Sequence, residues 1–166
     1  MCVRLRWPAS LCVWLVAGWL VVLPAAAAES VTLTVLATTD LHAHVYPYDY
    51  LTARQAQLGL AKAATIIKRV RATAAHTLLV DCGDTVQGTP LAYVAARRRP
   101  NQPHAVIAAM NALGYDAMVV GNHEFNFGLE TLWRLKDEAQ FPWLAANLSS
   151  YYHDTRRNFL PYVIRE

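Results

Sequence analysis

Cysteine is scarce in this chain: Cys2, Cys12 and Cys82 are the only three in 166 residues. The first two fall in an N-terminal segment read below as removable. That leaves one thiol and excludes an internal disulfide framework, although a lone buried thiol tolerates an oxidising compartment. Charge is also sparse, at 16% of residues, and nearly balanced, with 15 basic to 12 acidic side chains. Without Arg4 and Arg6 the balance is closer still. The chain therefore lacks the broad basic face that a nucleic-acid polymer requires. The one basic cluster, Arg97-Arg98-Arg99, stands just before Pro100 and reads as a solvated helix end rather than a phosphate-steering patch. Internal repeats and low-complexity linkers are missing too, so the length leaves room for one domain with a real core.

Long apolar runs are missing except for one. Leu11–Leu23 holds only Gly18 besides Trp, Val, Leu, Ala and Cys. Arg4 and Arg6 precede it; Pro24 and the small residues Ala26-Ala27-Ala28 follow it, before Glu29. A charged start, an apolar centre and a small-residue exit are the plan of a secretory signal peptide. We expect residues 1–28 to be that signal and the mature protein to begin at Glu29, secreted or periplasmic, with no membrane attachment after cleavage. An uncleaved anchor is the alternative, because Trp7–Leu23 approaches membrane-spanning length. Neither a lipoprotein box at Cys12 nor a twin arginine is found.

The remainder alternates between two hydrophobic periods. Val31–Thr38 reads as a strand rich in Val, Leu and Thr. Leu60, Ala63, Ala64, Ile67 and Val70 then share one helical face. Thr77–Val80 is a second short strand, ending in the turn-rich DCGDTVQGTP. Ala92–Ala96 is expected to be helical. His104–Leu113 is a stronger helix, with Gly114 placed as a left-handed C-cap. Tyr115–Val120 is a third strand and Leu129–Glu138 a helix in which Glu130 and Arg134 are spaced for an i,i+4 pair. Phe141–Ala145 is a fourth strand, and Tyr162–Glu166 hints at another. The order β-α-β-α-β-α-β predicts an α/β fold with largely parallel strands and right-handed crossovers. All strand C-terminal ends then lie on one edge, where open α/β sheets place their sites.

Three of those ends carry ligand chemistry. The first closes in Asp40-Leu41-His42, the second in Gly83-Asp84, the third in Gly121-Asn122-His123-Glu124. An Asp-x-His pair alone is weak, and so is Gly-Asp. The three in order, each closing a strand, point to a site. Two divalent cations about 3.5–4 Å apart can clamp a phosphoryl group and activate water. Asp40 and His42 are the candidates for one metal and Asn122 for the other. Asp84, flanked by glycine, is the candidate bridge. His123 would act as general acid for a leaving oxygen or as a hydrogen-bond donor to phosphate. N/O ligands of this kind suit Mn, Zn, Fe or Co. Asp81 is expected to cap its loop, and Cys82 to be a small core residue. His44, His76, His104 and His153 are expected at the surface. Tyr46, Tyr48 and Tyr50 either cover the site or pack on the first helix.

The segments TTDLHAH, VDCGDTVQGTPLA and AMNALGYDAMVVGNHEFNFGLETL resemble the calcineurin-like metallophosphoesterases. More narrowly, they are similar to the exported 5′-nucleotidase family and its 2′,3′-cyclic-nucleotide 2′-phosphodiesterase/3′-nucleotidase branch. The resemblance runs through Val31–Glu166 and implies an αββα metallophosphatase sandwich, a two-metal centre and a small nucleotide substrate taken up for salvage. It also bears on the branch. In the 5′-nucleotidases an aspartate stands three residues after the corresponding histidine. Here Asn126 holds that place, as in the cyclic-nucleotide branch. An amide cannot stabilise an imidazolium as a carboxylate does.

The resemblance implies further histidines in GH and GHxH motifs, and this chain has neither. We therefore expect residues 29–166 to be the N-terminal part of the catalytic domain. The second half and the C-terminal nucleotide-binding domain would then be missing, and the chain inactive alone. Two alternatives stay open: a 5′-nucleotidase of the same family, and a non-catalytic remnant or metal-binding protein.

Overall fold

The computed structural model describes residues 30–99, 101–148 and 158–165. The expected signal segment and His153 lie outside them. One compact unit is Val31–Glu166. It opens with strand β1 (Leu33–Thr38), a short hairpin of β2 (Tyr48–Asp49) and β3 (Arg54–Gln55), and helix α1 (Leu60–Arg71). Strand β4 (His76–Asp81) leads to α2 (Pro90–Tyr93), which continues as a π-helical stretch, Val94–Arg98. Then come α3 (Ala105–Leu113), β5 (Ala117–Val119), a 3₁₀ turn (His123–Phe125), α4 (Leu129–Glu138) and β6 (Trp143–Leu144).

β1, β4, β5 and β6 form one parallel sheet in that order, so each strand joins the edge left by the one before. Steps that all go the same way, with right-handed crossovers, put every connecting helix on one face. Burial agrees. On the covered face, Leu79 of β4, Met118 of β5 and Trp143 of β6 are 1% exposed or less. They share a core with Leu60 and Ile67 of α1, Val106 and Met110 of α3, and Leu132 and Leu135 of α4. On the other face Leu33 and Val35 are each 56% exposed and Val119 is 47% exposed.

Helix ends follow local chemistry. Thr89 caps α2 by accepting from the Ala92 amide at 3.2 Å, and Pro90 fills the first helical position. Gly114 closes α3 in the left-handed conformation, which a glycine adopts without a Cβ clash.

Several local expectations are corrected. His104 is completely buried rather than at the surface, because α3 starts there against α4, whose Glu138 accepts the His104 amide at 2.7 Å. Glu138 is also the partner of Arg134, in place of Glu130. Cys82 is exposed, not a core residue. It is the first residue past β4, after buried Asp81, and the alternation turns it outward. His44 is half-buried, with its Nδ1 shielded from water. The β2–β3 hairpin puts Tyr50 beside it, with ring centroids 6.3 Å apart. Leu160 makes a single parallel bridge to Leu144, but residues 162–165 are not in a strand.

Candidate functional site

The loops after β1 and β4 extend the sheet beyond its strands. Cys82 N donates to Thr38 O at 2.8 Å, Asp40 N to Gly83 O at 3.0 Å, His42 N to Asp84 O at 3.0 Å and Ala43 N to Thr85 O at 2.7 Å. The third loop is tied in by the Asp84 side chain, whose Oδ1 accepts from His123 N at 2.9 Å. These contacts bring Asp40, His42, Asp84 and His123 together at the carboxyl edge of the sheet. Asn122 stands at the start of the 3₁₀ turn, next to His123.

The backbone there is unusual. Among the described residues, five non-glycine positions have positive φ. Four lie in these two loops: Asp40 at 52°, His42 at 45°, Ala43 at 56° and Asp84 at 57°. Each such residue costs about 1–2 kcal/mol against the ordinary right-handed conformation. Strain of this kind gathers where geometry is held for a purpose. Two glycines make the crowding possible. A Cβ on Gly121 would collide with Asp84 Oδ1, and one on Gly88 would come within 2.6 Å of His42 Cβ.

The donor set fits a cation. His42 Nδ1 donates to Gln87 O at 2.8 Å. This leaves Nε2 with its lone pair free, the arrangement in which metal-bound histidines are usually held. That Nε2 lies 3.8 Å from Asp40 Oδ1. A nitrogen and an oxygen on one ion, about 2.0–2.1 and 2.0–2.2 Å from it, stand no more than about 4.3 Å apart. The rings of His42 and His123 meet edge to face, 5.0 Å between centroids. Asn126 Nδ2 donates to His123 Nδ1 at 3.1 Å, so neutral His123 carries its proton on Nε2. Among the described residues, however, no group of three or more His, Cys, Asp or Glu side chains closes on one point.

Beneath the loops sit two buried carboxylates, both 1% exposed. Asp81 accepts from Thr38 Oγ1 at 2.6 Å, Thr85 Oγ1 at 2.5 Å and Gly83 N at 2.9 Å, holding the loop as its position suggests. Burial pushes its pKa upward, against the pull of those bonds. Tyr115, whose hydroxyl lies 2.9 Å from Thr38 Oγ1, is pushed up to about 12 by burial. The second carboxylate, Glu124, was assigned no role from the sequence. It accepts only backbone N–H groups, from Asp84, Thr85, Val86 and Gly121. The available signal was its spacing. Glu124 stands three residues after Gly121 and reaches back to that amide, as the glutamate of a capping box does.

Residues 33–163 match the calcineurin-like phosphoesterase family. The chain is 42% identical over 147 residues to the trifunctional nucleotide phosphoesterase protein YfkN of Bacillus subtilis, covering 84% of this chain and 10% of that protein. The crystal structure of YfkN superposes with a TM-score of 0.76, over 83% of this chain and 43% of the solved one. A 2′,3′-cyclic-nucleotide 2′-phosphodiesterase/3′-nucleotidase of Yersinia enterocolitica is 39% identical, with 84% of this chain and 22% of that protein covered. A snake venom 5′-nucleotidase of Gloydius brevicauda is 38% identical, with 89% and 26% covered. The chain thus spans between a tenth and about a quarter of the length of these curated relatives.

Proposed function

The chain belongs to the calcineurin-like phosphoesterase family, whose members use divalent metal ions, and from that premise we propose that it supplies part of an exported two-metal nucleotide phosphoesterase. The favoured substrates are 2′,3′-cyclic nucleotides and 3′-nucleotides. The observation that supports this most is the freed Nε2 of His42 beside Asp40 Oδ1, in a loop laced to the one carrying Asp84.

Asp40 and His42 would hold one ion, Asn122 the other, and Asp84 both. Bound there, the metals would supply charge to a phosphoryl group and an activated water. The metals could be Mn, Zn, Fe or Co. His123 has its Nδ1 occupied by Asn126, so its Nε2–H is the group free to face substrate. From there it can donate to a phosphate oxygen or to the leaving oxygen. Asn126 orients the ring without adding charge. Two ions need more donors than these four side chains, and we assign the rest to protein outside the described residues. On that reading residues 29–166 alone turn over little or no substrate.

Export rests on the plan of residues 1–28. Among the described residues no helix is long and apolar enough to cross a membrane.

One preparation tests the reading. Protein recovered from the exported fraction should begin near Glu29 by mass spectrometry. At full relative length and with Mn²⁺, it should hydrolyse 2′,3′-cyclic AMP and 3′-AMP in preference to 5′-AMP. Asp84→Asn should lower that turnover at least 100-fold. Exclusive use of 5′-AMP would favour the second reading, a 5′-nucleotidase, which the Gloydius relative supports. A longer protein that neither binds metal nor cleaves any of the three would defeat both.

A further inference from the structure

Among the described residues, Glu124 is the one buried carboxylate whose every hydrogen bond comes from the main chain of two different loops. Its Oε1 accepts from Thr85 N at 2.6 Å and Val86 N at 3.2 Å; its Oε2 accepts from Asp84 N at 3.0 Å and Gly121 N at 2.7 Å. An ionised carboxylate offers about four lone-pair sites, and all four are taken, so Glu124 has no capacity left to ligate an ion. Three of the donors are consecutive amides. Successive N–H groups point into one concavity when the chain mixes left- and right-handed residues. Asp84, at φ 57°, supplies the left-handed one. The fourth donor, Gly121, is one residue from Asn122 on the neighbouring loop.

We propose that Glu124 is a positioning residue for the metal centre, setting the separation of the Asp84 and Asn122 loops by holding both on a single carboxylate. The proposal rests on the metal reading above and adds a residue that acts through the ligands. Asp84 is then fixed from two sides. Its amide is held by Glu124, and its Oδ1 accepts the amide of His123, in the turn that Glu124 itself belongs to. Gly121 leaves no slack, because a side chain there would strike Asp84.

Glu124→Gln keeps the shape and replaces one oxygen by an NH₂. Whichever way the amide sits, two backbone N–H groups then face a donor. Partners of metal ligands typically change affinity by about 10–100-fold, and a loss in that range is expected for Mn²⁺, measured by electron paramagnetic resonance titration of the protein at full relative length. Leu132→Ala serves as the control. It removes a fully buried side chain of α4 and should lower the melting temperature with Mn²⁺ affinity unchanged. Mn²⁺ affinity of Glu124→Gln within two-fold of wild type would overturn the inference and leave the metal reading standing. Wild-type protein that binds no Mn²⁺ would overturn both.

Should Glu124→Gln not fold, hydrogen exchange of the wild-type chain decides. The amides of Asp84, Thr85, Val86 and Gly121 should exchange at one common rate and slow together when Mn²⁺ is added. Unrelated rates, or protection on only one loop, would overturn the proposal.

Discussion

The carboxyl edge of the sheet and its exposed face are built on opposite terms. At the edge, two loops exchange main-chain hydrogen bonds and carboxylate side chains tie the third to them, four non-glycine residues are held left-handed, and two buried carboxylates are satisfied by amides and threonine hydroxyls. On the exposed face the backbone is regular, and Leu33, Val35 and Val119 leave about half of each side chain in solvent. Geometry is maintained at the edge against a conformational cost. The face keeps relaxed strands and leaves apolar area uncovered. The same strands carry both, so any difference in how they tolerate change comes from environment and not from sequence type.

The sharpest contrast lies between two apolar residues of the same sheet. Leu79→Ala, on the covered face, should cost about 2–5 kcal/mol. Val35→Ala, on the open face, should cost about 0.5 kcal/mol, as exposed positions do. Urea unfolding of the two variants measures both, and equal losses would abolish the distinction.

Acid should break the covered side from within. His104 is buried, with both ring nitrogens shielded from water. Burial, then the nearby Arg134 charge, lowers its pKa from 6.5 to about 4. Between those values the unfolded chain takes up a proton that folded His104 does not, so stability falls as pH drops from 6.5 towards 4. At about 1.4 kcal/mol per pH unit, the loss approaches roughly 3 kcal/mol. His104→Leu should remove that slope; a slope that persists would place the titrating group elsewhere.

The smallest effect carries the opposite sign. Asp40 is exposed and strained, at φ 52°. In Asp40→Gly the relief of about 1–2 kcal/mol exceeds the about 0.5–1 kcal/mol that glycine loses by ordering. The variant should gain about 0.5 kcal/mol while binding Mn²⁺ more weakly. A variant that loses stability would show that Asp40 is not strained in solution.

Much of this was legible beforehand, for identifiable reasons. Helix α4 is bounded by Leu129 and Glu138 as expected, because its apolar period is clean and Gly128 precedes it. Gly114 marked the end of α3. The three strand ends announced themselves because ligand-type residues interrupt apolar runs. What stayed hidden depends on tertiary partners. Two-residue strands such as β2 and β3 are too short to show a period. Nothing local distinguishes the π-helical Val94–Arg98 from an ordinary helix. Arg134 pairs with Glu138 because that carboxylate is already fixed on the His104 amide. Left-handed Asp40, His42 and Asp84 carry no glycine to betray them. Glu124 looked like one more polar residue in a dense motif, since its four donors are backbone groups that the sequence does not display.

The strand order β1-β4-β5-β6 has a consequence for how the chain is made. Each strand of the sheet docks on the one synthesised just before it, so a chain that emerges N-terminus first can lengthen the sheet one crossover at a time. Each parallel pairing still closes a crossover, with partners 43, 37 and 25 residues apart (Leu33–His76, Val80–Ala117, Met118–Trp143), and so forms more slowly than a local hairpin. The lacing of the first two loops needs nothing beyond Thr85, but Glu124 emerges 38 residues after Val86. During that interval the amides of Asp84, Thr85 and Val86 have only water to accept them, and the arrival of one glutamate converts a loose turn into a finished one.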